Sequence, residues 1–478
     1  MPEPSEPGGS SAPVPGPGLR RVLVANRGEI ALRILRACFD EDIETVLAVS
    51  AADQDSPAAQ LADRAVLIGP ASAGQSYLAI DRIVQAALSA GCDAVHPGYG
   101  FLSERPELAD ACAENGLRFV GPDGDTMRRA GDKMTAREVA EKAGIPIGGR
   151  SRPLETRDEA VEALDDALDA GASLPMMLKA SAGGGGRGMS IIRDRAEIGG
   201  RFDMAHREAE QAFGDGRLYL ERYVTRARHV EVQVLADGFG TVCHLGDRDC
   251  STQRRHQKLI EEGPAPDLPA DLADQIRGAA VRLATELGYV GAGTVEFLVD
   301  LDRGDFVFLE VNARVQVEHP VSEMVSGIDI VREQLRIAAG RPLSFAQDDV
   351  TITGHAVEVR INAEDPERGF LPTPGTITRW AVPAGHGVRV DTFAYPGAVV
   401  TPYYDSLVAK VITHAATRLE AIDLMQRVLR GSRIDGIATT IPLQLAVLDS
   451  PEFRASPVTT RWLEEQYLPA REKETSDA

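Results

Sequence analysis

Cysteine is scarce and scattered. Cys38, Cys92, Cys112, Cys243 and Cys250 are five in number, with no Cys-x-x-Cys pair among them. Neither a disulfide framework nor a zinc site is signalled, and a reducing cytosol is the expected compartment. Positive charge is also in deficit. Acidic residues number 72 against 51 basic ones, a net charge of −21 over 478 residues. That balance argues against nucleic acid or an anionic membrane surface as the main partner and confines any basic patch to one locality. No apolar run is long enough to cross a bilayer. The first apolar strand is not followed by Gly-x-Gly-x-x-Gly, and Gly-Lys-Ser/Thr is absent, so neither a nicotinamide site nor a Walker loop is expected. No Ser-His-Asp or Cys-His arrangement stands out, which turns the reading away from covalent nucleophilic catalysis. No internal repeat or heptad run is present.

What is there reads as a folded chain of about three domains, with 43% apolar residues to fill their cores. Residues 1–18 are rich in Pro, Gly and Ser, lack a basic start and an apolar centre, and read as a disordered tail rather than a signal peptide. From Arg21 to Pro122 short apolar runs (Val22–Ala25, Val46–Val49, Ala65–Ile68, Ala94–His96) alternate with helical stretches such as Glu29–Cys38 and Ile80–Leu88. The alternation predicts a doubly wound parallel α/β sheet. A second unit, Lys133 to Tyr223, has helices through Glu138–Ala143 and Glu159–Ala170 and a glycine loop after Leu178, and suits a mobile lid. Beyond it, Val230–Leu235, Thr241–His244, Thr294–Val299 and Phe306–Val311 read as strands of an antiparallel sheet, and a last unit runs from near Thr351 to near Leu468.

The segment Glu310-Val-Asn-Ala-Arg-Val-Gln-Val-Glu318 alternates polar and apolar residues strictly, which predicts a strand with one polar face. Two acids, a guanidinium and two amides on that face suit an anionic substrate and its metal; the bland alternative is a solvated edge. If Thr294–Val299 and Phe306–Val311 form a hairpin centred on Arg303, residue 298 pairs with 308 and Glu296 faces Glu310. Opposed strand residues have Cβ atoms ~5 Å apart, so two carboxylates there call for a cation, and oxygen ligands favour magnesium or manganese. Asn312 lies on the same face; the alternative is that one acid pairs with a nearby arginine.

Gly183-Gly-Gly-Gly-Arg187-Gly188 follows an apolar run and Lys179. Bare amides flanked by Lys179 and Arg187 suit phosphate oxygens, against the alternative of a flexible linker. Gln253-Arg-Arg-His-Gln-Lys258 is a cationic cluster in an acidic chain, read either as functional or as a solvated patch. His96-Pro-Gly-Tyr-Gly-Phe-Leu-Ser-Glu104 is a turn-rich loop after a parallel strand. His229 and His256 lack metal-ligand spacing and suit structural or nucleotide hydrogen bonding. Arg360, between Glu358 and Asn362 in a second alternating run, meets a substrate or pairs with Glu358.

Taken together, Ala25-Asn-Arg-Gly-Glu-Ile-Ala31, His96 to Glu104, the glycine loop, Arg248-Asp-Cys-Ser251, Gln253 to Lys258, Asn312 to Pro320 and Arg360-Ile-Asn-Ala-Glu-Asp365 resemble the motifs of biotin carboxylase, in that family's order, over about Leu19 to Leu468. The resemblance implies an ATP-grasp fold: a Rossmann-like domain over 19–132, an ATP-grasp domain over 133–349 with its glycine-rich lid near 151–223, a C-terminal domain over 350–468 and a tail over 469–478. It implies ATP held by Lys133, Lys179, Gly185, Gly186, Glu221, Arg222, Tyr223, Val224, His229, Gln253 and His256, and two Mg2+ or Mn2+ ions on Glu296, Glu310 and Asn312. Bicarbonate and biotin would meet Lys258, Arg314, Gln316, Val317 and Arg360, with Glu318 as the base and Arg360 stabilising the biotin enolate. Lys258, Arg314, Glu318 and Arg360 are thus the implied catalytic set.

The implied activity is that of a ligase: bicarbonate is phosphorylated to carboxyphosphate and its CO2 is transferred to carrier-borne biotin. No Met-Lys occurs in the chain, so carrier and carboxyltransferase are expected on separate polypeptides, as in an acetyl-CoA or acyl-CoA carboxylase of fatty acid biosynthesis. A homodimer is the family's expected assembly. Three positions depart from the pattern: Ala182 replaces a glycine, Asp247 a glutamate and His386 an aromatic residue tied to the dimer contact. The competing readings are an ATP-grasp carboxylase of another acceptor, such as urea, and a non-catalytic ATP-binding paralogue. Arg360 and Tyr403-Tyr-Asp405 argue against the first, and the presence of Glu318, Arg314 and both opposed acids against the second.

Overall fold

The computed structural model describes residues 18–149, 151–181 and 188–471. Ala182, Gly185, Gly186 and Arg187 of the glycine loop and most of both tails lie outside the described residues.

Five parallel strands open the fold, β1 (Arg21–Val24), β2 (Glu44–Ser50), β3 (Arg64–Gly69), β4 (Ala94–His96) and β5 (Arg118–Phe119), in the order β3-β2-β1-β4-β5. The order reverses at β1, the doubly wound arrangement, whose ligand crevice lies beyond the strand ends where the order turns. Helix α1 (Gly28–Asp40) starts at that switch. Opposite it, Asn26 donates to the carbonyls of Pro97 (2.7 Å) and Tyr99 (2.8 Å) and so ties the loop after β4 to the end of β1. Gly98 is needed there: its φ is +62°, and a Cβ would fall 2.9 Å from the Asn26 amide nitrogen.

Next come helix α2 (Lys133–Lys142), helix α3 (Arg157–Asp169) and a three-stranded antiparallel sheet of β6 (Met176–Ala180), β7 (Met189–Ile192) and β8 (Leu218–Arg222). Thr156 and Glu159 form a reciprocal capping box on α3.

The centre of the molecule is an eight-stranded sheet. Its strands are β9 (Ala227–Ala236), β10 (Val242–Arg254), β11 (Gln257–Gly263), β12 (Gly291–Asp300), β13 (Asp305–Asn312), β14 (His355–Asn362), β15 (Val388–Thr392) and β16 (Leu407–Ala415). Their order is β13-β12-β9-β10-β11-β14-β16-β15. Every neighbouring pair along it is antiparallel. The period of two divides its faces. On β9, Val230, Val232 and Val234 pack against α4 (Ala270–Leu287) through Ile276 and Leu283, leaving His229, Glu231 and Gln233 on the other face. On β14, Val357, Val359 and Ile361 pack against α5 (Arg418–Gly431), leaving Glu358, Arg360 and Asn362 opposite.

The structure corrects two expectations. The alternation of 310–318 is strand only to Asn312; the chain then leaves the sheet and re-enters helix at α6 (His319–Ser326). Asn312, Gln316 and Glu318 are nevertheless buried and Glu310 and Arg314 half-buried, so the solvated-edge alternative fails. The hairpin register is also broken. Glu296 pairs with Glu310 as expected, but Leu298 pairs with Val307 rather than with 308, because a bulge lies between Phe308 and Glu310. The extra residue flips the faces. Phe306 and Phe308 point into the core, and so does Val311, which puts Glu310 and Asn312 on the opposite face with Glu296. The cationic run 253–258 spans the tight turn between β10 and β11, with Arg255 and His256 at positive φ.

One ion pair fastens the C-terminal helix layer to this sheet. Glu262 on β11 accepts from Arg418, the first residue of α5, at 2.6 and 2.9 Å and contacts His355 at 3.1 Å. Burial alone would raise this carboxyl, but the His355 and Arg418 bonds bring it down from 4.5 to about 2. A folded-state value below the unfolded one contributes stability that is present above pH 4.5 and lost as pH falls through about 2. Glu262→Gln should therefore flatten the fall of the thermal midpoint between those pH values, a contribution on the order of 3 kcal/mol. An unchanged acid limb in thermal scans would show that the pair does not hold this layer.

Candidate active site

Strand register lines up four charged residues across the central sheet. Arg248 on β10 pairs with Glu231 on β9, Glu231 with Glu296 on β12, and Glu296 with Glu310 on β13. Three acids side by side would repel unless cations intervene. Two cations do so at one end. Arg248 is fully buried and donates to Glu231 (2.7 Å), Gln233 (2.9 Å), Ser322 (2.8 Å), Thr294 (3.3 Å) and Gln316 (3.0 Å). Lys258 reaches in from β11, with Nζ 2.6 Å from Glu231, 3.0 Å from Glu296 and 2.6 Å from Glu318. Burial would lower the lysine, but the three carboxylates hold it well above its ordinary range. Against the same burial, Lys258 and Arg248 bring Glu231 down to about 2.

Glu318 is the N-cap residue of α6, and its side chain is clasped from two sides. Lys258 holds Oε1 at 2.6 Å and Arg360 holds Oε2 at 2.8 Å. Burial raises this carboxyl, Lys258 lowers it, Glu231 raises it and Arg360 lowers it again; the balance lies below the ordinary value. Glu318 is therefore ionised at neutral pH, the form that accepts a proton. Arg360 does not pair with Glu358: its Nε goes to Glu261 at 2.5 Å. Glu358, opposed to Glu261 across β14 and β11, has neither oxygen bonded among the described residues, and burial pushes it well above its usual range.

Among the described residues Glu296 does not pair with an arginine. Besides Lys258 it accepts from Asn312 (2.9 Å) and Gln316 (2.8 Å), and His229 Nε2 stands 2.8 Å from its other oxygen. Arg314 donates to Asn312 Oδ1 (3.0 Å), and its Nε stands 2.9 Å from Glu104. Glu310 differs: burial first, then the charge of Glu296, raise its carboxyl, with Lys133 and His229 only partly compensating. A pair of facing carboxylates with one member so poorly compensated, and an amide oxygen beside them, is an oxygen-donor set that suits a hard divalent cation. The residues fit magnesium, with Asn312 first releasing Arg314.

Lys258, Arg314, Val317 and Arg360 line a cavity of about 370 Å³, together with Glu29 and Tyr99 from the N-terminal part of the chain and Tyr404 from the C-terminal part. Of the other residues implied for ATP, Gly185 and Gly186 lie outside the described residues, and several of the rest have partners of their own. Lys179 (3.2 Å) and Arg137 (3.3 Å) grip Glu221 on β8. Arg222 pairs with Asp300 and, at 2.8 Å, with Asp305. Tyr223 lies under Arg461, Val224 and Gln253 are buried, and His256 is exposed at the turn. Asp247, one carbon shorter than the family's glutamate, is satisfied by Arg277 at 2.6 Å and the amide of Ala265 at 2.7 Å.

Sequence reasoning missed Glu231, the acid shared by Lys258 and Arg248. Its signal was available: Glu231 and Gln233 alternate with Val230, Val232 and Val234, the same pattern that exposed Glu310 and Asn312. Glu261, across the sheet from Glu358 and bound to Arg360, carried no such mark.

Three family models cover the chain: "Biotin carboxylase, N-terminal domain" over residues 18–127, "Carbamoyl-phosphate synthase L chain, ATP binding domain" over 132–346, and "Biotin carboxylase C-terminal domain" over 358–465. The chain is 47% identical to biotin carboxylase 1 of Bacillus subtilis (strain 168) over 447 residues, 93% of this chain and 98% of that one. It is 45% identical to a pyruvate carboxylase subunit of Methanothermobacter thermautotrophicus, covering 93% of this chain and 89% of that one. A solved structure of the biotin carboxylase domain dimer of Hydrogenobacter thermophilus 2-oxoglutarate carboxylase, in complex with MgADP, ADP and bicarbonate, superimposes with a TM-score of 0.85 at 44% identity, over 94% of this chain and 98% of that one.

Proposed function

The chain belongs to the biotin carboxylase family and has its three-domain ATP-grasp fold, and from that premise we propose a route by which its residues carboxylate biotin at the expense of ATP. The observation that carries the route is Glu318, ionised and held 2.6 Å from Lys258 and 2.8 Å from Arg360 at the edge of the cavity. Bicarbonate entering there meets the positive ends of Lys258 and Arg314, the Gln316 amide and the backbone at Val317. Lys258 turns from Glu318 toward the anion, the carboxylate gains basicity, and it takes the bicarbonate proton. The freed oxygen attacks the γ-phosphorus of ATP, the bond to ADP breaks, and carboxyphosphate forms.

Magnesium bound by Glu296, Glu310 and Asn312 would screen the phosphate charge. Lys133, Lys179, His229, Gln253 and His256, with the Glu221–Val224 segment and the glycines of the lid, are the residues proposed for the nucleotide. Carboxyphosphate breaks down to CO2 and phosphate, the phosphate takes the ureido N–H proton of biotin, and the nitrogen attacks CO2. Negative charge grows on the ureido oxygen during that step, and Arg360 is the fixed cation that meets it.

The proposed partners are a biotinylated carrier and a carboxyltransferase on other chains, a second copy of this chain in a homodimer, and the cytosol as compartment. For the acceptor, an acyl-CoA carboxylase, with acetyl-CoA foremost, is the proposed complex. Co-purification with an acyl-CoA transferase supports that assignment; co-purification with a pyruvate- or 2-oxoglutarate-specific transferase replaces it.

Bicarbonate-dependent ADP release should rise on adding free biotin, and further with a biotinylated carrier. No response to either rejects biotin as the acceptor and returns the urea-type reading. Arg360→Ala should leave nucleotide affinity within about twofold and slow carboxyl transfer to biotin by about a hundredfold, since its contact with the acceptor forms mainly in the transition state. Unchanged transfer in rapid-quench assays would remove Arg360 from that step.

A further inference from the structure

Next to Arg360 stands a lysine with no part in the proposed route. Lys410 on β16 is the direct register partner of Arg360 on β14, and Asp391 on β15 is its partner on the other side. The side chain of Lys410 is fully buried. An ammonium so placed is costly unless it is engaged on several sides. Two acids supply its charge balance, Glu29 at 3.4 Å and Asp391 at 3.9 Å, and the Tyr99 ring lies 5.9 Å away. Its shortest contact, however, is with a neutral group: Nζ donates to the carbonyl oxygen of Val317 at 2.8 Å.

That carbonyl belongs to the peptide joining Val317 to Glu318. A peptide unit is planar and trans, so fixing its oxygen fixes the position of the Glu318 Cα and directs the Glu318 N–H the opposite way. The side chain of Glu318 is fixed independently by Lys258 and Arg360. Arg360 and Lys410, neighbours on adjacent strands, therefore grip consecutive residues, one by its carboxylate and the other by its backbone. Val317 itself lines the cavity.

We infer that Lys410 is a positioning residue for bicarbonate: from beneath, it sets the backbone of the turn that presents Val317 and Glu318 to the anion. The inference rests on the proposed role of that turn. A general base acts only within hydrogen-bond reach of its proton, and a misplacement of about 1 Å costs on the order of a hundredfold in rate.

The test uses the full chain with MgATP, bicarbonate and biotin. Lys410→Met keeps the length of the stem and removes the donor. The expected result is a bicarbonate KM raised about tenfold or more and kcat lowered about tenfold, with MgADP affinity, measured by calorimetry, within about twofold. Lys410→Arg keeps the charge between Glu29 and Asp391 but moves the donor, and should give an intermediate bicarbonate KM; it supplies the same readout where the methionine variant does not fold. A folded variant with unchanged bicarbonate KM overturns the inference, and so does a parallel loss of nucleotide and bicarbonate affinity, the sign of a merely structural role. Wild-type protein without bicarbonate-dependent ADP release would instead reject the reading of the site itself.

Discussion

Glu318→Gln is expected to cut bicarbonate-dependent ATP cleavage by about a thousandfold while nucleotide affinity stays within about twofold. The amide keeps the shape and leaves a hydrogen-bond acceptor for either Lys258 or Arg360, so the turn before α6 should hold. It cannot take a proton. Bicarbonate would then remain the monoanion, a poor nucleophile toward phosphorus, and the reaction would stall before ADP leaves. Steady-state ADP release, paired with calorimetric binding of MgADP, separates this from a general loss of the site. Near-normal cleavage in the variant would mean that another group removes the proton, and Glu231, Glu261 and Glu358 are the nearest acids that would have to be considered.

Lys258→Met should produce the largest combined effect, because one ammonium stands among three buried carboxylates at 2.6, 3.0 and 2.6 Å. Each acid retains a second partner: Arg248 for Glu231, His229 for Glu296, Arg360 for Glu318. The loss is therefore less than that of three isolated charges, about 3–5 kcal/mol, which lowers the thermal midpoint of a chain this long by about 3–5 °C. Without the lysine the three acids have raised folded-state values, so stability is present at low pH and lost as pH rises. The variant should be less handicapped at pH ~5.5 than at pH ~8. Activity should fall by at least about a thousandfold, since the anion loses its main cation. A midpoint within about 1 °C of wild type at both pH values would contradict the assigned charge balance.

Much of this arrangement could be read from residue types alone because alternation in a strand leaves a record in sequence. The parallel N-terminal sheet, the antiparallel strands beyond 227 and the facing of Glu296 and Glu310 all follow from apolar period and turn position. The bulge at Leu309 did not, although it left a trace. Phe306 and Phe308 share parity with Glu310 and Asn312, and one face cannot be both core and site, so a switch had to fall between them. The end of the strand at Asn312 was hidden for the opposite reason: residues 313–318 keep an extended-looking alternation because the buried groups around them, and not a neighbouring strand, dictate which side chains are polar. Lys410 was invisible. A single lysine in an apolar strand carries no local sign of the distant carbonyl it holds, and only register across β14, β15 and β16 brings it under Val317.

At the heart of the proposed chemistry, an oxygen of bicarbonate, stripped of its proton by Glu318, attacks the γ-phosphorus of ATP. Bicarbonate labelled with 18O in all three oxygens tests this step by mass spectrometry of the inorganic phosphate released during biotin carboxylation. Carboxyphosphate keeps the attacking oxygen on phosphorus when its carbon–oxygen bond breaks, so each phosphate should carry one labelled atom. Phosphate without any labelled oxygen would refute the mechanism, for it would mean that water, and not bicarbonate, had supplied the fourth oxygen in cleaving ATP.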